Sequence, residues 1–266
     1  REPFLGGGSL FIYLKQKFSD KKYWVNDLYP SLYKFWKMCQ KDINAVINQV
    51  WEWKVKYSDG KELHNYLTQN IASFNDIKKA SAFFVFNRIT FSGTSESGGY
   101  SEQAFKGRFT PSSIERIKSL EKILDDARIT NFDYQEVVEA KGKNVFIFLD
   151  PPYFSATKSA LYGKNGSLHK SFDHFRFADV MKKCNHNWLI TYDDSPFVRD
   201  LFSFAYVNSW DLTYGMRNVT MTSDQKGKEL FLSNFLEVMP SENQLRLFAE
   251  PKSSYNAKKK SVNRHK

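Results

Sequence analysis

Val145-Phe146-Ile147-Phe148-Leu149-Asp150-Pro151-Pro152-Tyr153 is the stretch on which the reading of this chain turns. An unbroken apolar run closed by an acid and two prolines suits a central strand of a parallel sheet, buried on both faces. Asp150 then stands at the carboxyl end of a strand, where open α/β sheets place their ligands. The prolines fix φ and remove two backbone donors. The loop is therefore stiff, and its carbonyls are free to accept. An acidic oxygen beside a free carbonyl makes a pair of acceptors. Such a pair can hold both hydrogens of an amino group and aim the nitrogen lone pair at an electrophile. The ring of Tyr153 can stack on a base. The bland reading is a proline-stiffened turn after a strand, and only the rest of the chain decides between the two.

Working outward, Arg1-Glu2-Pro3-Phe4 reads as the end of a strand entering a glycine turn, Gly6-Gly7-Gly8, with a helix over Ser9 to Phe18 capped by Ser9. Tyr23 to Asp27 reads as a second strand and Pro30 to Cys39 as a second helix. Glycines between strand and helix let a ligand approach the backbone closely, and their spacing is not that of the dinucleotide pattern. Asp27 lies roughly 20 residues beyond them, where an acid can hold ribose hydroxyls. It is equally suited to capping the helix after Pro30. The alternation stops after Cys39. Ile43 to Leu124 is mostly helical, broken by a polar stretch from Ser92 to Arg108 expected as a surface loop or small lobe. Sheet signals resume at Arg128 to Asp133 and at Val145 to Asp150. A helix over Phe172 to Lys183, a strand over Trp188 to Tyr192 and a helix over Pro196 to Phe202 follow. Tyr206 to Leu212 and Glu229 to Asn234 complete the pattern as an antiparallel pair.

The pattern predicts an α/β fold: a doubly wound, mainly parallel sheet with a terminal antiparallel strand and a mostly helical insertion. Residues 1–42 and 125–240 form the core, 43–124 the insertion, and 241–266 a basic tail expected to be disordered. The chain opens at Arg1 inside a motif, which predicts a further segment upstream. Lys and Arg number 39 against 29 acids, a net charge of +10. That excess suits a polyanionic partner, because neutralised phosphates release counterions. Cys39 and Cys184 stand far apart, so neither a zinc spacing nor a disulfide framework is expected. No apolar run reaches membrane length, and no leader peptide is visible. The five histidines show no clustered ligand spacing, and no metal is expected.

Taken together, these motifs resemble the Dam-like, class alpha, adenine-specific DNA methyltransferases. Glu2 to Ser9 looks like that family's cofactor loop, Asn26-Asp27 its ribose-binding acid and Asp150 to Tyr153 its catalytic loop. Asn87-Arg88-Ile89-Thr90-Phe91-Ser92-Gly93 is similar to a stretch of its DNA-recognition region, and Lys228 to Asn234 to its late strand. The Gly-Gly-Lys segment that members carry upstream of the cofactor loop is absent from these residues. The resemblance implies S-adenosyl-L-methionine as cofactor, bound by Glu2, Phe4, Gly6, Gly8, Ser9, Asp27, Asp150 and, by position after a strand, Asp133 and Tyr134. It implies double-stranded DNA as partner, contacted by Arg88, Lys106 and Arg108. A cognate restriction endonuclease is the further partner where a member belongs to a restriction-modification pair. A cytoplasmic site of action in a prokaryote or for a phage also follows.

The chemistry implied is methylation of the exocyclic amine (N6) of an adenine flipped out of the duplex. Asp150 and the Pro151 carbonyl would accept the amine hydrogens, Pro152 would stiffen the loop, and Tyr153, with Phe154 beside it, would stack on the base. Much of the catalysis would be positioning, with Ser155 to Lys170 a polar loop near the base. Two other readings stay open. One is an RNA adenine or cytosine amino methyltransferase, the cytosine version more often carrying Ser in place of Asp150. The other is a degenerate relative that only binds DNA.

Overall fold

The computed structural model describes residues 1–91, 98–154, 172–213 and 226–236. The apolar run forms β3 (Phe146–Leu149), parallel to β4 (Asn187–Asp193) with Leu149 opposite Ile190. β4 runs antiparallel to β6 (Lys226–Ser233), which pairs antiparallel with β5 (Tyr206–Thr213). The strand order of this sheet is β3-β4-β6-β5. A second, two-stranded sheet pairs β1 (Trp24–Asn26) parallel to β2 (Arg128–Thr130). The first two residues of the chain hydrogen-bond to both sheets. Glu2 N donates to Trp24 O and Asn26 N to Glu2 O, each at 2.9 Å, while Phe148 N donates to Arg1 O at 2.9 Å. The expected antiparallel pair is therefore present, as are parallel pairings on either side of the amino-terminal segment.

Helix α1 (Ser9–Lys17) follows the glycine turn. Ser9 is its exposed first residue and not its cap. Gly8 takes the cap position at φ 69°, a left-handed conformation that only glycine adopts without strain. Helix α2 begins at Pro30, where a missing N–H costs nothing, and does not stop at Cys39. It runs over Pro30–Lys56 with a kink at Asp42 (φ −157°, ψ 84°), whose carboxylate accepts from Ala45 N and starts the second half. Helix α3 (Gly60–Asn70) is capped by Asp59 and α4 (Asp76–Ile89) by Asn75. In α4, Ala80 to Phe86 are all buried, the mark of a helix enclosed by others, and it packs along α2. Helices α5 (Glu102–Arg108), α6 (Pro111–Glu115) and α7 (Glu121–Leu124) complete this part.

The polar stretch, expected as a surface loop or small lobe, thus ends in a helix. Ser101 caps it by accepting from Ala104 N, and Ala104 and Phe105 bury its inner face. Residues 92–97 lie outside the described residues. A second unforeseen helix, α8 (Tyr134–Glu139), starts immediately after the loop beyond β2. Helices α9 (His174–Lys183) and α10 (Pro196–Leu201) flank β4 in sequence.

Two hydrophobic clusters result. One joins Leu5, Phe11, Val25 and Trp36 to the helical residues from Ile43 to Leu124 and to Ile129. The other gathers Tyr134, Ile147, Leu149, Phe177, Trp188, Tyr192, Phe202 and Leu232. Arg1–Phe235 is one compact unit; the remainder, Leu236–Lys266, is described only at Leu236, so the expected basic tail lies outside the described residues. No described helix is long and apolar enough to cross a membrane.

Candidate active site and nucleic-acid face

The carboxyl ends of the amino-terminal segment, β1 and β3 bring Glu2, Asp27 and Asp150 into one neighbourhood. Glu2 is buried, and its carboxyl is pushed up to about 8. Burial is the main cause. The charges of Asp150 and Asp27 raise it further, while the terminal ammonium and the Phe11 N–H oppose the shift. Asp150 stays accessible to solvent but has enough protein around it for burial to raise its pKa. Hydrogen bonds from Thr191 and Tyr153 pull it back down. Thr191 Oγ1 donates to Asp150 Oδ1 at 2.6 Å. Burial also raises Asp27, against the Gly6 and Tyr29 N–H groups. Among the described residues no side-chain cation forms an ion pair with any of the three. Carboxyl groups crowded and partly desolvated in this way favour a cationic ligand.

Asp27 does two jobs at once. Its Oδ2 accepts from Gly6 N and its Oδ1 from Tyr29 N, each at 2.9 Å. The carboxylate therefore clamps the glycine turn to the start of α2, and each oxygen keeps a lone pair for a ligand. Gly6 is at φ 49° and receives Trp36 Nε1 on its carbonyl at 3.2 Å. A Cβ on Gly8 would stand 2.9 Å from the Trp36 ring, so the turn can close only over glycine there. Asn26 is a buried knot that sequence reasoning did not single out. Its Nδ2 donates to Pro3 O and Phe132 O, and its Oδ1 accepts from Phe132 N and Thr130 Oγ1. A polar residue in a buried strand just before the acid was the available signal.

Three further expected cofactor residues have contacts within the chain. Phe4 sits among Tyr134, Phe172 and Phe177, with ring centroids 5.5 to 5.9 Å away. Tyr134 is buried in the same group, and its hydroxyl has no hydrogen-bond partner among the described residues. Asp133 caps α8 through Gln135 N and takes both terminal nitrogens of Arg176, at 2.8 and 3.1 Å. In the catalytic loop, Pro151 is buried and Pro152 and Tyr153 are partly so. The Tyr153 ring stacks on Tyr192 at 5.9 Å, and Phe154 stacks on Phe197 at 4.1 Å. Thr191 and Tyr192 carried no mark in the sequence that set them apart from other strand residues. Ser155 to Lys170 lies outside the described residues.

The expected DNA contacts divide. Lys106 pairs with Glu102 at 2.9 Å, and Arg108 donates to Thr90 O at the end of α4. Arg88 is different: its guanidinium lies 5.2 Å over the Phe84 ring, and its buried Nε has no hydrogen-bond partner among the described residues. Burial lowers its pKa, helped by Arg116 and Arg108 nearby. Arg88, Asn87 and Arg116 line a cavity of about 240 Å³ whose wall includes Gly6 and Gly7.

Comparisons with known proteins give the chain a family. A family model described as the D12 class N6 adenine-specific DNA methyltransferase matches residues 1–216. The chain is similar to the Type II methyltransferase M.MjaIII of Methanocaldococcus jannaschii, 23% identical over 176 residues, 60% of this chain and 60% of that protein. It is similar to a DNA N-6-adenine-methyltransferase of Escherichia phage P1, 24% identical over 249 residues, 85% of this chain and 30% of that protein. It is also similar to the Type II methyltransferase M1.LlaDCHI of Lactococcus lactis subsp. cremoris, 22% identical over 255 residues, 88% of this chain and 85% of that protein. The chain thus spans 60% and 30% of the first two relatives.

Proposed function

The chain belongs to the D12 class N6 adenine-specific DNA methyltransferase family, and from that membership we propose that it methylates the exocyclic amine of adenine in double-stranded DNA. The observation that carries the proposal is the Asp150–Tyr153 loop, set at the carboxyl end of β3 beside Glu2 and the glycine turn. The crowded carboxyl groups fit S-adenosylmethionine, a molecule with sulfonium and ammonium charges. Glu2, Asp27 and Asp150, with the Gly6–Gly8 turn, are the residues that would hold it. When bound, it supplies an electrophilic methyl group.

The chain's own residues do the rest. Asp150 and the Pro151 carbonyl accept the two amine hydrogens and turn the nitrogen lone pair toward the methyl. Tyr153 stacks on the adenine, which must leave the duplex to be reached. Two pre-aimed acceptors and a ring hold the base in an attacking pose, so the main catalytic contribution is positioning. The nitrogen becomes acidic once it carries the methyl, and the proton leaves then. Asp150, raised by burial, is placed to receive it.

The finer architecture belongs to the same proposal. The hydrogen bonds of Arg1 and Glu2 to both sheets support one doubly wound sheet in the order β2, β1, amino-terminal segment, β3, β4, β6, β5. Residues 43–124 would read DNA, and the kink at Asp42 supports a boundary there. Arg88 is the favoured contact of the three basic candidates, because Lys106 and Arg108 already have partners within the chain. Names of the Type II kind among the relatives support a cognate endonuclease as a further partner. Transfer of labelled methyl from S-adenosylmethionine to unmethylated DNA, followed by nucleoside analysis, tests the proposal. N6-methyladenine supports it. N4-methylcytosine or an unlabelled product overturns it.

A further inference from the structure

The end of β4 touches the catalytic loop at three successive residues. Thr191 Oγ1 donates to Asp150 Oδ1 at 2.6 Å. The Tyr192 ring stacks under Tyr153 with 25° between planes. Asp193 Oδ1 accepts from Phe154 N at 2.8 Å. Side chains alternate along a strand, so Thr191 and Asp193 leave one face and Tyr192 the other, and the loop is gripped from both. Tyr192 is itself fixed from behind. It is fully buried, and its hydroxyl is hydrogen-bonded to His174 Nδ1 at the first turn of α9. His174 is also buried, edge-on to Phe154 at 5.5 Å and to Phe172 at 5.1 Å, and its Nε2 has no hydrogen-bond partner among the described residues.

We propose that Thr191, Tyr192 and Asp193, with His174 behind Tyr192, are positioning residues that set the acceptor geometry of Asp150 and the ring plane of Tyr153. The inference rests on the methyltransferase reading of the loop and assigns the groups that shape it. Two prolines stiffen the loop but do not aim it. A carboxylate on a single bond rotates, and the hydroxyl bonds from Thr191 and Tyr153 select the rotamer it presents to an amine. The Tyr153 ring is held by its own hydrogen bond to Asp150 and by the stacked Tyr192 ring, itself pinned by His174. Phe154 closes the segment through a backbone donor fixed on Asp193. The loop's chemistry-bearing groups are therefore aimed by the neighbouring strand together with the loop's own Tyr153–Asp150 bond.

The test uses the full chain with unmethylated genomic DNA and methyl-labelled S-adenosylmethionine at saturating enzyme, so that one round of transfer is timed. Thr191→Val keeps the shape and removes the hydroxyl. The expected result is transfer slower by about 10- to 100-fold, the range for losing a hydrogen bond to a charged group. KM for S-adenosylmethionine stays within about twofold of wild type, since a tenfold change would already be a full hydrogen bond.

The acid limb of the rate profile also moves to higher pH, because Thr191 holds the ionised form of Asp150. Glu2 and Tyr153 face Asp150 too, and both are unchanged in this variant. Tyr192→Phe keeps the stacking ring but frees it from His174. It slows transfer without moving the acid limb. Val198→Ala, a fully buried position on α10 outside the loop, controls for stability: its melting temperature falls, while rate and pH profile hold. Wild-type rates and acid limbs in both β4 variants, beside an inactive Asp150→Ala, overturn the inference alone. Absence of N6-methyladenine from the wild type overturns the parent reading and this inference with it.

Discussion

Replacing Glu2 by Gln tests whether the site is built around crowded carboxyl groups. Gln has the same shape and keeps an acceptor for the Phe11 N–H, but it carries no titratable proton. In the folded chain the Glu2 carboxyl is pushed up to about 8 from its ordinary 4.5. The folded state therefore holds a proton that the unfolded state releases across that window. Stability falls as pH rises from about 4.5 to about 8, because the unfolded chain binds fewer protons there. If the whole shift acts on folding, the loss reaches about 5 kcal/mol above pH 8. Glu2→Gln removes it, so the variant gains on wild type as pH rises, by roughly 2–4 °C of melting temperature for each kcal/mol. Circular-dichroism melts of both proteins at pH 5, 7 and 9 measure the difference. A binding consequence accompanies it. A cation beside Glu2 favours the ionised form, so S-adenosylmethionine binding at pH 7 should release a proton from wild type and none from the variant. Calorimetry in buffers of different ionisation enthalpy reads that proton. A melting difference independent of pH, with equal proton release from both proteins, would falsify the reasoning.

Three further outcomes follow from the same geometry. Asp27→Ala should weaken S-adenosylmethionine binding by roughly 1.5–3 kcal/mol, the loss expected for a charge-assisted hydrogen bond; unchanged affinity by calorimetry would leave Asp27 as a clamp on Gly6 and Tyr29 alone. Gly8→Ala should destabilise the chain by at least about 1–2 kcal/mol from the left-handed backbone, with the Trp36 contact adding to it, whereas Gly7→Ala meets nothing within 4 Å and should melt as wild type does. Equal melting temperatures for the two would refute the turn argument. Arg88→Ala should weaken DNA binding and spare cofactor binding. A phosphate contact lowers the salt slope by about one and weakens all sequences alike, while a base contact costs about 1–3 kcal/mol at one position. Wild-type affinity, slope and site preference would return Arg88 to a structural role.

Much of this was legible because strong local signals agreed. An apolar run ending in Asp-Pro-Pro reads as a strand and its exit loop, and β3 with Asp150 lies where that reading put it, although Phe146 is exposed and the strand is not buried on both faces. The glycine turn, the strand before Asp27 and the strand from Arg128 were equally plain, although strand ends fell within a few residues of their expected places. What stayed hidden depends on contacts distant in sequence or on elements too short for a periodic pattern. α5 and α8 are seven and six residues long, and each is set by a cap, Ser101 and Asp133. The same capping and the Arg176 pair give Asp133 an explanation independent of cofactor. The continuation of α2 past Cys39 turns on one kinked residue, Asp42. Thr191 reaches Asp150 across 41 positions, and no feature of a Thr in a strand announces that. Arg108 looked like a free cation and instead holds the carbonyl of Thr90.

The account's central claim is that Asp150 holds the amine that receives the methyl. Wild type and Asp150→Ala, both shown to be folded by circular dichroism, are incubated with methyl-labelled S-adenosylmethionine and unmethylated DNA, and the nucleosides are separated. The account predicts N6-methyladenine from wild type and a rate lower by about 100-fold or more from the variant, since pre-aimed polar acceptors contribute on that scale. A folded Asp150→Ala protein that methylates adenine at close to the wild-type rate would contradict it.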